Sequence, residues 1–164
     1  MKIPLCSPVS FATLVLALAV GALSARAEVS LPAIFSDHMV LQSDVRVPVW
    51  GSASPGEKIT VDFAGQSVAT TAASDGTWQV AFTRLAPSPT ARSLTIKGNN
   101  TITIQDVLVG EVWLGSGQSN MAMTVNRAKN YEAEKVAANF PLIRHFKEES
   151  PNADSPQSTS KGRW

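Results

Sequence analysis

From Leu31 to Val109 the chain is written in short runs of alternating apolar and polar residues. Glycine, asparagine or aspartate closes most of them, and this pattern constrains the fold more than any other feature. Val45-Arg46-Val47-Pro48-Val49-Trp50 alternates and stops at Gly51. Lys58-Ile59-Thr60-Val61-Asp62-Phe63 alternates and is followed by Ala64-Gly65. Gln66 to Ala72 is rich in Thr and Val, Ser74-Asp75-Gly76 makes a turn, and Thr77 to Phe82 alternates again. Ser93 to Lys97 and Thr101 to Ile104 flank the turn Gly98-Asn99-Asn100. A period of two gives each strand one face to bury and one to wet. Short strands at about ten-residue spacing predict an antiparallel β-sandwich. Pro48 cannot donate to a ladder, so its strand is expected at an edge or a bulge.

Near residue 107 the pattern changes. Val107-Leu108-Val109 and Val112-Trp113-Leu114 are apolar without strict alternation, which suits a strand covered on both faces. Gly115-Ser116-Gly117 breaks it, and a helix is expected to begin at Gln118. Glu132 to Ala138 is a second helical run, stopped by Asn139-Phe140-Pro141. Leu142 to Phe146 then reads as another strand, and 147–162 as loop. Strand, helix, strand is how a parallel α/β domain begins. A parallel sheet needs several such units to cover both faces, so 107–164 reads as an incomplete domain. The expected organisation is a β-sandwich-like domain over 28–106, followed by the first βα unit or units of an α/β domain over 107–164.

Residues 1–27 are read as a leader. Lys2 supplies a positive start, Phe11 to Leu23 is apolar, and Ala25-Arg26-Ala27 is a small-residue cleavage site. The apolar stretch is short beside the ~20 residues that span a bilayer. Cleavage after Ala27 implies a periplasmic or secreted protein, with no membrane attachment afterwards. It also removes Cys6, the one cysteine, so disulfides play no part in the mature chain. Losing Lys2 and Arg26 leaves 12 of the 14 basic residues against 13 acidic ones. No basic run stands out, which gives no electrostatic case for nucleic acid.

The chemistry-bearing segment is Gly110 to Met121, reading G-E-V-W-L-G-S-G-Q-S-N-M. A serine hydrolase holds its nucleophile on a sharp turn between a strand and a helix. Glycines there remove Cβ atoms that would clash, and backbone N–H groups face the developing oxyanion. Ser119 sits at that predicted junction. The same position equally suits a helix N-cap, a common role for serine. Met121 departs from the G-x-S-x-G elbow, and no phosphate-binding or dinucleotide glycine pattern is present. One leader cysteine and two scattered histidines give no metal-ligand spacing, and no cofactor is expected.

The same block resembles the nucleophile block of sialate O-acetylesterases, within the SGNH/GDSL hydrolases. Leu31 to Gln42, reading L-P-A-I-F-S-D-H-M-V-L-Q, is similar to that family's opening, as are Val47-Pro48-Val49-Trp50-Gly51 and Asp75-Gly76-Thr77-Trp78. The resemblance implies an SGNH-type α/β hydrolase domain and removal of acetyl groups from sugar hydroxyls, notably those of sialic acids. It gives Ser119 the nucleophile role and makes its own N–H an oxyanion donor. In the family the histidine and aspartate come from a block near the C-terminus that is absent here. An acetyl-xylan esterase shares a similar serine block, and a non-catalytic carbohydrate-binding sandwich is the remaining alternative. Asp37-His38 and His145 read as structural, and Trp50, Trp78 and Trp113 as core aromatics or, failing that, a sugar platform. Oligomeric state is left open. Exported from its host, the chain is expected to begin at Glu28; intact-mass measurement of the secreted form checks this, and a retained leader contradicts it.

Overall fold

The computed structural model describes residues 28–157 and 159–164; the leader and Cys6 lie outside the described residues. Seven strands build the body: β1 (Val40–Gln42), β2 (Val47–Ser52), β3 (Lys58–Phe63), β4 (Gln66–Thr71), β5 (Thr77–Phe82), β6 (Ser88–Lys97) and β7 (Thr101–Gly110). Five of them form one sheet in the order β1-β7-β6-β3-β4, and β2 pairs with β5 in a second. β3 and β5 begin and end where the alternation does. Their inward residues Ile59, Val61, Phe63, Trp78, Val80 and Phe82 are all buried. These side chains belong to one core shared by both sheets, joined by Val49, Leu94, Ile96, Val107 and Val109. Each fully buried side chain of this size stabilises by about 1.5–3 kcal/mol relative to an exposed one. Pro48 lies opposite Ala81 of β5, in a strand whose other side is touched, among the described residues, only by the Ser30–Ser52 bridge, so the expected edge is found.

β1 escaped the sequence pattern. It is three residues long and runs parallel to the end of β7, pairing Val40, Leu41 and Gln42 with Leu108, Val109 and Gly110. Val107, Leu108 and Val109 are consecutively buried, as expected for a strand covered on both faces. Their strand is nevertheless continuous with the antiparallel one before it. β7 runs through residues 106 and 107 without a break and reaches this position by a bulge. Between the pairs Leu94↔Ile104 and Arg92↔Val107, Gln105 and Asp106 of β7 stand opposite Ser93 alone. Asp106 takes a left-handed conformation, φ 55°. The extra residue shifts the inward-facing set from Ile104 to Val107 and Val109.

Past β7 the structure departs from expectation. Val112, Trp113 and Leu114 are not a strand: they have no ladder partner and are exposed, Trp113 to 88% and Leu114 to 94%. Trp113 is therefore not a core aromatic, whereas Trp78 is buried and Trp50 is 36% exposed. The helix expected from Gln118 is reduced to two 3₁₀ turns, Ser119–Ala122 and Val125–Arg127. The second helical run is α1 (Tyr131–Ala137). Leu142 to Phe146 is turn and coil, and the chain pairs only afterwards, as β8 (Lys147–Glu148) against β9 (Gly162–Arg163). Among the described residues no second parallel strand exists to accept a ladder from 112–114 or 142–146, and an apolar run without a partner has no reason to extend.

Gly51 is the tightest point of the body. A Cβ there would collide with the Ser30 carbonyl oxygen and stand 2.9 Å from Trp78 Cζ2. Gly51→Ala is expected to destabilise the fold by about 1–3 kcal/mol, the usual cost of overpacking; urea denaturation measures it, and an unchanged midpoint contradicts the packing described.

Candidate active site around Ser119

The segment carrying Ser119 leaves the sheet at Gly110. β1 forms the last rungs of its ladder, and the Ser43 N–H donates to the Gly110 carbonyl at 2.8 Å. Residues 111–118 then run without ladder bonds, and Ser119 opens a single 3₁₀ turn closed by Met121 N–H to Gln118 O at 2.9 Å. Ser119 is exposed. Among the described residues, neither its hydroxyl nor its N–H is engaged in a hydrogen bond, and Gln118, not Ser119, occupies the N-cap position. The N-cap alternative therefore does not describe this serine. A four-residue 3₁₀ turn carries little axial dipole, so the electrostatic contribution expected from a following α-helix is not present at this turn.

The glycines before Ser119 make room for one side chain. Met121 folds back across them: a Cβ on Gly117 would lie 2.9 Å from Met121 Cγ, and one on Gly115 3.2 Å from Met121 Cε. Met121, which stands where the elbow pattern has its second glycine, thus packs on the turn formed by Gly115 and Gly117.

Neither histidine reaches the serine by a hydrogen bond among the described residues. His38 is instead engaged at the β7 bulge, its Nδ1 2.6 Å from Asp106 Oδ2. Beside it, Asp37 Oδ1 accepts from the Gln105 N–H at 2.7 Å, and the His38 N–H donates to the Gln105 carbonyl at 3.1 Å. Asp37-His38 is thus a brace for the bulge, which accords with its structural reading. Sequence reasoning missed the third member. The largely buried Arg144 guanidinium donates to Asp106 Oδ1 at 2.8 Å, to the His38 carbonyl at 3.0 Å and to the Asp106 carbonyl. It ties the chain beyond α1 to the same bulge. The Asp106 carboxyl is held below the ordinary carboxylate range, first by its hydrogen bond with His38 and then by Arg144. Phe146 packs at a tilt against Trp164, ring centroids 5.4 Å apart, and the Trp164 Nε1–H donates to the Ile34 carbonyl at 2.8 Å. No group of three or more potential metal-ligating side chains occurs among the described residues.

This architecture, a β body delivering a glycine-flanked serine, is similar to part of a solved carbohydrate acetylesterase. The crystal structure of such an enzyme from Xanthomonas citri superposes on 83% of the chain with a TM-score of 0.77 and 34% identity, the match covering 32% of that enzyme. In sequence the chain is sialate O-acetylesterase-like. It is 36% identical to human sialate O-acetylesterase over 110 residues, 60% of this chain and 21% of the human protein. It is 34% identical to the mouse enzyme over 122 residues, 67% of this chain and 23% of that protein. No family model matches the chain. The chain thus spans about a fifth of the length of these curated relatives and a third of the solved acetylesterase.

A folded-state carboxyl held low contributes stability above its unfolded range, and that contribution is lost as pH falls through the folded value. The Arg144–carboxylate bond is therefore expected to hold at neutral pH and to be lost only as pH falls below the ordinary aspartate range, through the lowered folded value. Asp106→Asn should weaken it at pH 7, the bonds to the two backbone carbonyls remaining. The NMR signals of the Arg144 guanidinium report both, and unchanged signals in the variant contradict the assignment.

Proposed function

We propose that this chain supplies the nucleophile of an exported carbohydrate acetylesterase, with O-acetylated sialic acids as the first substrate class to test. One observation carries the reading: an exposed serine, with no hydrogen bond to its hydroxyl or amide among the described residues, on a glycine turn delivered by the last strand of the β body. The similarity to sialate O-acetylesterases and to the Xanthomonas enzyme supports the same reading.

In the proposed mechanism Ser119 Oγ attacks the acetyl carbonyl carbon, and its proton passes to a histidine base. Negative charge collects on the carbonyl oxygen, where the Ser119 N–H is one donor. Collapse expels the sugar oxygen, which takes the proton from the histidine. Water, deprotonated by the same base, then attacks acetyl-Ser119 and releases acetate. Neither metal nor cofactor is proposed for any step.

The division of the chain is part of the proposal: a leader over 1–27, a β-sandwich-like domain over 28–106, and the start of an SGNH-type α/β domain over 107–164. What supports it is the surface after β7. Trp113, Leu114, Val136 and Ile143 are 74–94% exposed, an apolar display that a domain interior would cover. His38 is committed to the bulge and His145 does not hydrogen-bond Ser119, so neither of the two histidines of these 164 residues is proposed as the base.

Two measurements test this. In the protein as its host makes it, Ser119→Ala should lower acetate release from O-acetylated sialic acid by ~10⁴-fold or more, the usual cost of losing a triad member. The 164-residue chain should hydrolyse p-nitrophenyl acetate no faster than its own Ser119→Ala variant. Undiminished acetate release in the first experiment overturns the nucleophile assignment. A Ser119-dependent rate in the second overturns the missing base.

A further inference from the structure

We propose that Gln42 is a positioning residue for the Ser119 segment, acting as a clasp where that segment leaves the sheet. The side chain of Gln42 uses both ends of its amide on the departing chain. Its Oε1 accepts from the Val112 N–H at 2.8 Å, and its Nε2 donates to Glu111 Oε2 at 3.2 Å and to the Ser43 carbonyl at 3.2 Å. Ser43, 3% exposed, adds its backbone N–H to the Gly110 carbonyl at 2.8 Å and reaches Glu111 Oε1 with its hydroxyl at 3.5 Å. Gly110, Glu111 and Val112 are thereby each held from the β1 end, just where ladder bonds stop.

The contacts are specific to an amide of this length. The Val112 N–H requires an acceptor and the Glu111 carboxylate requires a donor, and a planar amide offers both. Beyond the clasp the chain has no ladder until Ser119. Val112 to Ser119 reaches at most ~25 Å when extended, so a swing of ~10° at the exit displaces the serine by up to ~4 Å. Misplacement by ~1 Å can cost ~10²-fold in rate. The exit angle is therefore where position is cheapest to fix and most damaging to lose. The consequence for ester cleavage rests on the Ser119 reading above, while the clasp itself stands on these contacts.

Backbone ¹⁵N relaxation on the full chain tests it. Gln42→Ala removes all three bonds, and Gln42→Glu keeps the acceptor but sets a carboxylate against Glu111. Both are expected to lower order parameters across 112–119, toward the flexible range below ~0.6, with β2 and β5 unchanged. The exchanged pair Gln42→Glu with Glu111→Gln restores a donor opposite an acceptor and is expected to recover the order. Glu111→Ala, which leaves β1 untouched, should give a smaller loss, because the Val112 bond remains. Unchanged order in Gln42→Ala, or no recovery in the exchanged pair, overturns the clasp. Because the readout is backbone order, the clasp can fail while Ser119 remains the nucleophile. Conversely, Ser119→Ala can leave acetate release intact while the clasp holds.

Discussion

One surplus residue in β7 organises the molecule. Gln105 and Asp106 share the place of a single residue opposite Ser93, and the strand emerges with its alternation reset. Before the bulge β7 is an ordinary antiparallel partner of β6. After it, Val107 and Val109 enter the common core, Leu108 is buried on the other face, and the strand meets β1 in parallel. An aspartate in a left-handed conformation costs of order 1 kcal/mol or more and persists only where neighbours over-determine it. Here the neighbours are Asp37, His38 and Arg144, which together satisfy the bulge's backbone and its carboxylate. Two distant stretches, the loop before β1 and the coil after α1, are therefore anchored to the same rung.

The β body was legible because its physics is local. A period of two with glycine turns determines which residues face inward, and β3 and β5 match their alternating runs to the residue. β1 was not legible, since three residues of mixed burial make no pattern and their partner lies 68 residues onward. The stretch 112–114 erred in the other direction. Val112-Trp113-Leu114 has a buried strand's composition, but burial needs a surface to bury against, and none is present among the described residues. Hydrophobicity alone states what a segment would gain from cover, not whether cover exists.

The site divides in the same way. Ser119 was singled out by glycines and a turn, which are local, and by likeness to sialate O-acetylesterases. The clasp was invisible because Gln42 and Glu111 meet only through the parallel register of β1 on β7. Asp37-His38 had the residue types of a catalytic pair yet read as structural, and its three-dimensional neighbours show what it braces. Met121 is similar: as a sequence it breaks a motif, and as a structure it fills the space that Gly115 and Gly117 leave open.

The parallel pairing of β1 with β7 also orders events in time. Closing so long a loop has an entropic cost that grows with its length, and contacts of large sequence separation form late. The β1 neighbour of Gly110 is thus supplied from the far end of a long closed loop. The exit of the Ser119 segment is set by the closure of that loop, not by local sequence alone.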